Sequence, residues 1–273
     1  MITFPNCKIN LGLWVTQRRR DGYHNLQTVM YPVPWCDALE IVPAGGTKTL
    51  LTVTGTNVEC EIHENLCYRA WQLMADAYNI PPVTMHLHKI IPSRAGLGGG
   101  SSDASYTLRM LNDLFKLNLD KERLKELAMQ LGSDCPYFIE NVPALLSGRG
   151  ELLKPVSLTL KGMYLLIVKP PVHVSTAAAY TGITPLEREN SIDELTSLPV
   201  QEWKGVLLND FENIVYDLYP EIEEIKFKLY RQGAVFASLS GSGSAVYGLF
   251  DKKPGPVDFP ACDIFETLLG GHS

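Results

Sequence analysis

The sequence has no apolar run that approaches the length of a membrane-spanning helix. Its first residues, Met1 to Lys8, include a proline and lack the apolar stretch of a secretory signal peptide, so a cytoplasmic location is expected. The net charge of −6 argues against a nucleic-acid-binding protein that relies on a general positive field. An anionic ligand would have to be held by local basic residues and backbone dipoles. Neither membrane association nor an obligate protein partner is predicted.

Cys-x-x-Cys spacing is also missing from the chain. The six cysteines are scattered, which argues against a zinc site, and a disulfide framework is not expected in a chain of 273 residues. Reduced cysteines are the simplest interpretation. They are Cys7, Cys36, Cys60, Cys67, Cys135 and Cys262.

The most distinctive feature that is present is a glycine-rich stretch at residues 91–104. Residues 83–90 before it alternate between apolar and polar, which predicts a strand, and apolar residues after it recur at helical spacing. A glycine loop between a strand and a helix start lets backbone N–H groups approach a phosphate closely. Phosphate binding is the working hypothesis, and a tight turn or a flexible linker is the alternative.

The common nucleotide loops do not fit this stretch. A Walker loop needs Lys-Ser or Lys-Thr after its last glycine, whereas this chain has Ser101-Ser102. The dinucleotide fingerprint would need a glycine at position 101. The HRD and DFG companions of a protein-kinase loop are missing as well.

Polar residues near the N-terminus suggest further site components. Lys8 and Asn10 lie on the face of a predicted strand opposite its apolar residues, and a solvated polar face is the alternative. After the hairpin signal Asp21-Gly22, Tyr23 and His24 could stack on and hydrogen-bond to a base, or simply belong to a solvated loop.

Two later segments are also chemically notable. Asp134 follows a predicted helix, and it could be either a functional carboxylate or the cap of the next helix. The sequence Ser-Gly-Ser-Gly-Ser at 240–244 connects two predicted strands, and it leaves open backbone that a ligand could approach.

The order of elements, strands followed by helices in each half, predicts an α+β fold rather than regular βαβ alternation. A rigid Lys169-Pro170-Pro171 break follows a strand, and we expect a domain boundary near residue 155. The predicted domains are residues 1–154 and 155–273.

Taken in chain order, these motifs resemble those of the GHMP small-molecule kinases. The resemblance rests on Lys8 and Asn10, on Pro-x-x-x-Gly-Leu-Gly-Gly-Gly-Ser-Ser, and on Leu-Ser-Gly-Ser-Gly-Ser near the end. It implies an N-terminal ATP-binding α+β domain and a C-terminal, ferredoxin-like α+β substrate domain with the active site between them. Asp-Gly-Tyr-His at 21–24 and the triple glycine are similar to the branch of the family whose acceptor alcohol carries a cytidylyl group.

The resemblance also implies residue roles. Asp134 would accept the proton of the substrate hydroxyl, and Lys8 would pair with it and stabilise charge on the transferring group. Magnesium is expected with ATP; its ligand is not assigned, and Ser102 is only a candidate. The implied ATP-binding residues are Asn65, Pro92, Gly96, Leu97, Gly98, Gly99, Gly100, Ser101 and Ser102.

For the acceptor, the resemblance implies that Tyr23 stacks on cytosine, that His24 reads the base edge, and that Tyr180 completes a sandwich. Asn10 would be a polar substrate contact, and Ser240, Gly241 and Gly243 would close the site near the substrate. The alternatives are another GHMP kinase that acts on a sugar, homoserine or mevalonate-type alcohol, and a nucleotide-binding regulator without catalysis.

Overall fold

A computed structural model describes residues 1–56, 61–256 and 258–270, so Cys60 lies outside the described residues. The chain divides into two compact units that are each discontinuous in sequence. The first unit comprises residues 1–7, 34–93 and 98–142, and the second comprises 8–33, 94–97 and 143–273. The predicted domains, 1–154 and 155–273, are continuous, so their boundary differs from this division.

Strands occur in both halves of the chain. In chain order they are β1 (Ile2–Thr3), β2 (Asn6–Arg18), β3 (His24–Cys36), β4 (Ala38–Pro43), β5 (Leu50–Gly55), β6 (Val83–Lys89), β7 (Ala144–Ser147), β8 (Leu152–Pro155), β9 (Tyr164–Lys169), β10 (Phe236–Leu239), β11 (Val246–Phe250) and β12 (Asp263–Leu268).

The α-helices occupy the intervals between these strands, together with short 3-10 turns at Ile62–Glu64 and Val200–Glu202. The helices are α1 (Leu66–Tyr78), α2 (Gly99–Leu114), α3 (Lys121–Met129), α4 (Tyr137–Glu140), α5 (Thr176–Thr181), α6 (Ile192–Thr196), α7 (Glu212–Leu218) and α8 (Pro220–Arg231). Within the described ranges, no helix is both long and apolar enough to cross a membrane.

The first unit is built on a four-stranded sheet in the order β1-β4-β6-β5, in which only the β5–β6 pair is parallel. The alternation predicted for residues 83–90 is confirmed, because Val83, Met85 and Leu87 are buried while His86 and His88 are exposed. The buried side chains join those of α1, α2 and α3 in one apolar core. Strand β6 leads into the glycine stretch and α2 leads out of it, so this core contains the elements on either side of the stretch.

The second unit contains two four-stranded sheets, β2-β3-β7-β8 and β10-β11-β9-β12. The predicted hairpin around Ser240–Ser244 is confirmed, because β10 and β11 pair antiparallel on either side of it. Helix α8 is amphipathic, because Ile222, Ile225 and Leu229 are buried in the core of this unit. These elements place the small-residue turn at the end of a buried strand pair.

The polar face of strand β2 is buried, so the alternative of a solvated face is wrong. Lys8 is 3% exposed and Asn10 is 1% exposed, so both faces of the strand are buried over most of its length. A buried amine and a buried carboxamide require hydrogen-bond partners. Their partners define the site in the second unit.

Candidate active site

The glycine stretch opens α2 as the sequence predicts. Gly98 is the N-cap residue with a φ of 71°, and no side chain caps this helix end. The first N–H groups of a helix lack partners within the helix and carry partial positive charge, so they bind anions well. Gly99 and Gly100 begin the first turn, in which Gly99 is buried and Gly100 is exposed. This geometry suits a phosphate group.

Ser101 and Ser102 complete the first turn of α2, and their surroundings differ. The hydroxyl of Ser102 is buried and has no hydrogen-bond partner among the described residues. Ser101 faces the turn at 132–135, because a methyl group on Gly132 would lie 4.0 Å from Ser101 Oγ. Ser105 Oγ donates to the Cys135 carbonyl over 2.7 Å and fixes this turn against α2.

Asp134 lies in that turn and is half-buried. Helix α4 begins at Tyr137 with Pro136 as its N-cap residue, so the alternative of Asp134 as a helix cap is wrong. Burial raises the pKa of the neighbouring Cys135 thiol to about 12, which keeps the thiol protonated and unreactive near neutral pH. The turn therefore presents the half-buried carboxyl group of Asp134 rather than a reactive thiol.

Asn65 has a structural role at the start of α1. Its Oδ1 atom accepts a hydrogen bond of 2.9 Å from the Cys67 amide and caps the helix. This helix start lies beside the glycine turn, since a methyl group on Gly100 would come within 3.8 Å of Leu66. The position suits the predicted ATP contact, which stays a prediction.

In the second unit, three separated motifs meet at the carbonyl oxygen of Gly96. Lys8 Nζ donates to this oxygen over 2.8 Å, and Ser240 Oγ donates to it over 2.9 Å. Lys8 Nζ also donates to Asn10 Oδ1 over 2.5 Å. The predicted residues Lys8, Asn10, Gly96 and Ser240 thus form one hydrogen-bonded cluster.

Close backbone packing makes this cluster possible. Gly96 has a φ of 74°, and a methyl group at this position would lie 1.9 Å from the Ser240 carbonyl oxygen. Gly241 has a φ of 57°, and a methyl group there would lie 3.3 Å from the Gly96 Cα atom and 3.4 Å from Asn10 Oδ1. Both positions have the left-handed backbone that favours glycine, and at Gly96 the backbone of Ser240 leaves no room for a Cβ atom.

The aromatic residues occupy a different part of the second unit. The rings of His24 and Tyr180 stack with centroids 5.3 Å apart, and they help to line a cavity of about 480 Å³ together with Arg18 and Thr181. Tyr23 is 55% exposed, and the Arg149 guanidinium lies 3.9 Å from its ring centroid. The predicted sandwich pairs Tyr180 with Tyr23, whereas the structure stacks Tyr180 on His24.

The structure therefore gathers the predicted residues into two sets. The glycines of the helix start, the two serines and Asp134 belong to the first unit, and the Lys8 cluster and the aromatic residues belong to the second. The pairing of Lys8 with Asp134 stays a prediction, since the two residues lie in different units.

Comparison with known proteins decides the family. Residues 65–149 match the model of the GHMP kinases N terminal domain, and residues 198–257 match that of the GHMP kinases C terminal domain. A 4-diphosphocytidyl-2-C-methyl-D-erythritol kinase of Bacteroides fragilis is 48% identical over 98% of this chain and 100% of its own length. One of Bacteroides thetaiotaomicron is 51% identical over 93% of each chain. The chain belongs to the 4-diphosphocytidyl-2-C-methyl-D-erythritol kinase family.

Solved structures agree with this membership in the GHMP kinases. A crystal structure of a 4-(cytidine 5'-diphospho)-2C-methyl-D-erythritol kinase matches with a TM-score of 0.77 and 33% identity, covering 91% of this chain and 90% of that one. A Methanococcus jannaschii mevalonate kinase matches with a TM-score of 0.73 at 16% identity over 99% and 98% of the two chains, which shows the shared fold. The expected α+β GHMP fold is confirmed.

Sequence reasoning missed a buried charge cluster beside the glycine stretch of this GHMP kinase. Lys89 Nζ forms ion pairs with Asp37 and with Asp103 of α2, the latter at 2.7 Å. Asp37 Oδ1 accepts from the amides of Ile90 at 2.6 Å and Ile91 at 2.8 Å, directly before Pro92. The cluster thus ties the end of β6 to α2 on both sides of the loop.

The charges in this cluster depend on one another. Burial would lower the pKa of Lys89, but Asp103 and Asp37 together raise it, so the amine stays charged. Burial raises the pKa of Asp103 to about 7 against the opposing charge of Lys89. The sequence carried a signal for this cluster, because Lys89 continues the inward positions of the alternating strand β6.

Proposed function

We propose that this chain transfers the γ-phosphoryl group of ATP to the 2-hydroxyl of 4-diphosphocytidyl-2-C-methyl-D-erythritol. The products would be the 2-phosphate and ADP, and the reaction would belong to the non-mevalonate route to isoprenoid precursors. The observation that carries the proposal is the hydrogen-bonded cluster of Lys8, Asn10, Gly96 and Ser240 in a chain of this family. Relatives that match 93% and 98% of the chain bear the name of this activity.

The proposed chemistry needs few residues, because phosphoryl transfer depends chiefly on positioning and charge neutralisation. The acceptor oxygen attacks the γ-phosphorus atom, the bond to the β–γ bridging oxygen breaks, and ADP departs. Asp134 takes the hydroxyl proton as general base. Lys8 supplies a buried positive charge, and its bonds to Asn10 and to the Gly96 carbonyl fix the direction of its amine.

The start of α2 supports the proposed ATP site. Its uncapped N–H groups and adjoining glycines suit the phosphates. Mg²⁺ commonly binds through few protein ligands together with nucleotide phosphates, and the partnerless Ser102 hydroxyl fits such a role. Within the described residues, no cluster of three or more His, Cys, Asp or Glu could hold a metal. The metal would neutralise phosphate charge when bound.

The cavity beside His24 and Tyr180 supports the proposed cytidylyl specificity. It has the size of a small-molecule pocket, one wall is an aromatic ring face, and the imidazole nitrogens provide a donor and an acceptor for a base edge. A pyrimidine could stack on Tyr180 if the His24 ring rotated away, or bind along the edge of the existing stack.

A phosphorus NMR assay tests the proposed function. The protein is incubated with ATP, magnesium and the cytidylyl substrate, and parallel reactions contain galactose, homoserine or mevalonate. We expect a new phosphomonoester signal and ADP with the cytidylyl alcohol alone. Turnover of another alcohol in its place would assign a different GHMP activity. No ADP with any acceptor, despite ATP binding, would favour the non-catalytic regulator.

A further inference from the structure

The segment at residues 209–212, which leads into α7, is anchored to strand β2. The Asp210 amide donates to the Leu13 carbonyl over 2.8 Å, and the Leu13 amide donates to the Leu208 carbonyl over 2.9 Å. Asp210 Oδ2 also accepts from the Val15 amide over 2.8 Å. Because β2 carries Lys8 and Asn10, this segment is fixed relative to the strand that supplies both of them.

Asn209 in this segment is 3% exposed and holds the turn that follows β10. Its Nδ2 atom donates to the carbonyls of Leu239 at 2.9 Å and of Gly241 at 2.8 Å, which flank Ser240. Its Oδ1 atom accepts from the Phe211 amide at 3.0 Å. The carboxamide therefore uses both donors and its acceptor, and it fixes the backbone on each side of Ser240.

Ser240 connects this turn to the hydrogen bonds of Lys8. Its hydroxyl and Lys8 Nζ donate to the same Gly96 carbonyl oxygen, and Gly241 packs against Gly96. If the turn shifted, this oxygen would lose one donor and the packing that places it. We propose that Asn209 is a positioning residue for phosphoryl transfer, which holds the Ser240–Gly243 turn and thereby the carbonyl that orients Lys8.

The next residues of the segment support the same turn and the aromatic wall. Glu212 Oε1 accepts from the Leu239 amide at 3.0 Å and from Ser238 Oγ at 3.1 Å, so it fixes the end of β10. The buried ring of Phe211 packs edge-on against Tyr180 with centroids 4.8 Å apart. One short segment thus positions the lysine through Asn209 and the aromatic ring through Phe211.

The test compares Asn209→Ala with Asn112→Ala. Asn112 makes bonds of the same kind at the end of α2, donating to the Leu119 carbonyl at 3.3 Å and accepting from its amide at 2.9 Å. Steady-state kinetics with ATP and the cytidylyl alcohol give kcat and both KM values, and this part of the test rests on the proposed function. Hydrogen exchange of the peptide spanning 239–245 reports the turn without any need for activity.

We expect Asn209→Ala to lower kcat by about 100-fold with KM for ATP within about threefold, since a misplacement near 1 Å has such an effect. Exchange at the turn should accelerate in this variant and stay unchanged in Asn112→Ala. Phe211→Leu should show the opposite kinetic split, a raised KM for the alcohol with most of kcat retained.

The positioning role would be overturned if hydrogen exchange at residues 239–245 were the same in Asn209→Ala as in the wild type. An unchanged kcat would also overturn it. A loss of activity equal to that of Asn112→Ala and proportional to unfolding would overturn it as well. If the wild type made no product from the cytidylyl alcohol, the proposed function would fail, while the exchange experiment would still decide whether Asn209 holds the turn.

Discussion

Replacing Gly96 with alanine should disable the Lys8 cluster, because the backbone has no room for a methyl group. The new Cβ atom would lie 1.9 Å from the Ser240 carbonyl oxygen, and contacts below 3.0 Å are essentially never found. The segment of Gly96 or that of Ser240 must therefore move by about 1.1 Å. The same movement separates Ser240 Oγ and Lys8 Nζ from the Gly96 carbonyl.

The free-energy cost of Gly96→Ala can be estimated from these contacts. The left-handed backbone at a φ of 74° costs an alanine about 1–2 kcal/mol. Weakening a neutral hydrogen bond costs about 0.5–1.5 kcal/mol, and weakening one to a charged amine costs about 1.5–3 kcal/mol. The free energy of unfolding should thus fall by about 3–6.5 kcal/mol. Turnover should fall about 100-fold, since the carbonyl that orients Lys8 is displaced by about 1 Å.

Gly162→Ala separates backbone strain from the steric clash. Gly162 has a φ of 88°, and nothing lies within 4 Å of a methyl group placed on it. The free energy of unfolding of this variant should fall by only about 1–2 kcal/mol, from backbone strain alone, and its turnover should be unchanged. Gly241→Ala, with contacts of 3.3 and 3.4 Å and a φ of 57°, should fall between the two.

The measurements are urea unfolding and ADP release in the presence of both substrates. If Gly96→Ala unfolds at the same urea concentration as Gly162→Ala and retains a turnover within about threefold of the wild type, the close approach of the two loops is not required. If Gly96→Ala lost the full stability but retained its turnover, the Gly96 carbonyl would not be needed for the function of Lys8.

Three further substitutions test other parts of the site. Asp134→Asn should lower kcat by about 100-fold to 10,000-fold while ATP affinity measured calorimetrically persists, and near-normal turnover would exclude the general base. Tyr180→Ala should raise KM for the cytidylyl alcohol about tenfold through lost stacking of about 1–3 kcal/mol, without changing KM for ATP. A larger effect of Tyr23→Ala on that KM would instead favour the predicted sandwich. Lys89→Met should reduce the free energy of unfolding by about 3–5 kcal/mol because two buried carboxylates lose their partner. Lys125→Met, at a partly exposed ion pair, should lose about 1 kcal/mol or less, and equal losses would contradict the burial argument.

Local patterns in the sequence were sufficient for the elements that frame the site. The alternation in β6, the helix start after the glycines and the hairpin around the serine-rich turn all depend on short-range periodicity and on glycine geometry. The residues of the Lys8 cluster were selected differently, because the resemblance to the GHMP kinases, rather than local periodicity, implied their roles.

Tertiary partners were not accessible to that reasoning. The polar face of β2 could be either buried or solvated, because alternation tells which residues share a face but not what covers that face. The partners of Lys89 are Asp37 and Asp103, which lie 52 and 14 residues away. The stack of Tyr180 on His24 likewise depends on how α5 and β3 pack. Such pairings arise from the fold rather than from any local motif.

The glycine motif itself shows why a single motif cannot specify a single role. Residues 94–97 belong to the second unit, and the first unit resumes at Gly98. Gly96 is required because its backbone contacts that of Ser240, whereas Gly98 is required because α2 starts from a left-handed residue. Substituting Gly96 should therefore affect Lys8 and turnover, and substituting Gly98 should affect the helix start and nucleotide affinity. In each case the compact unit that contains the glycine, rather than its place in the motif, determines which step is impaired.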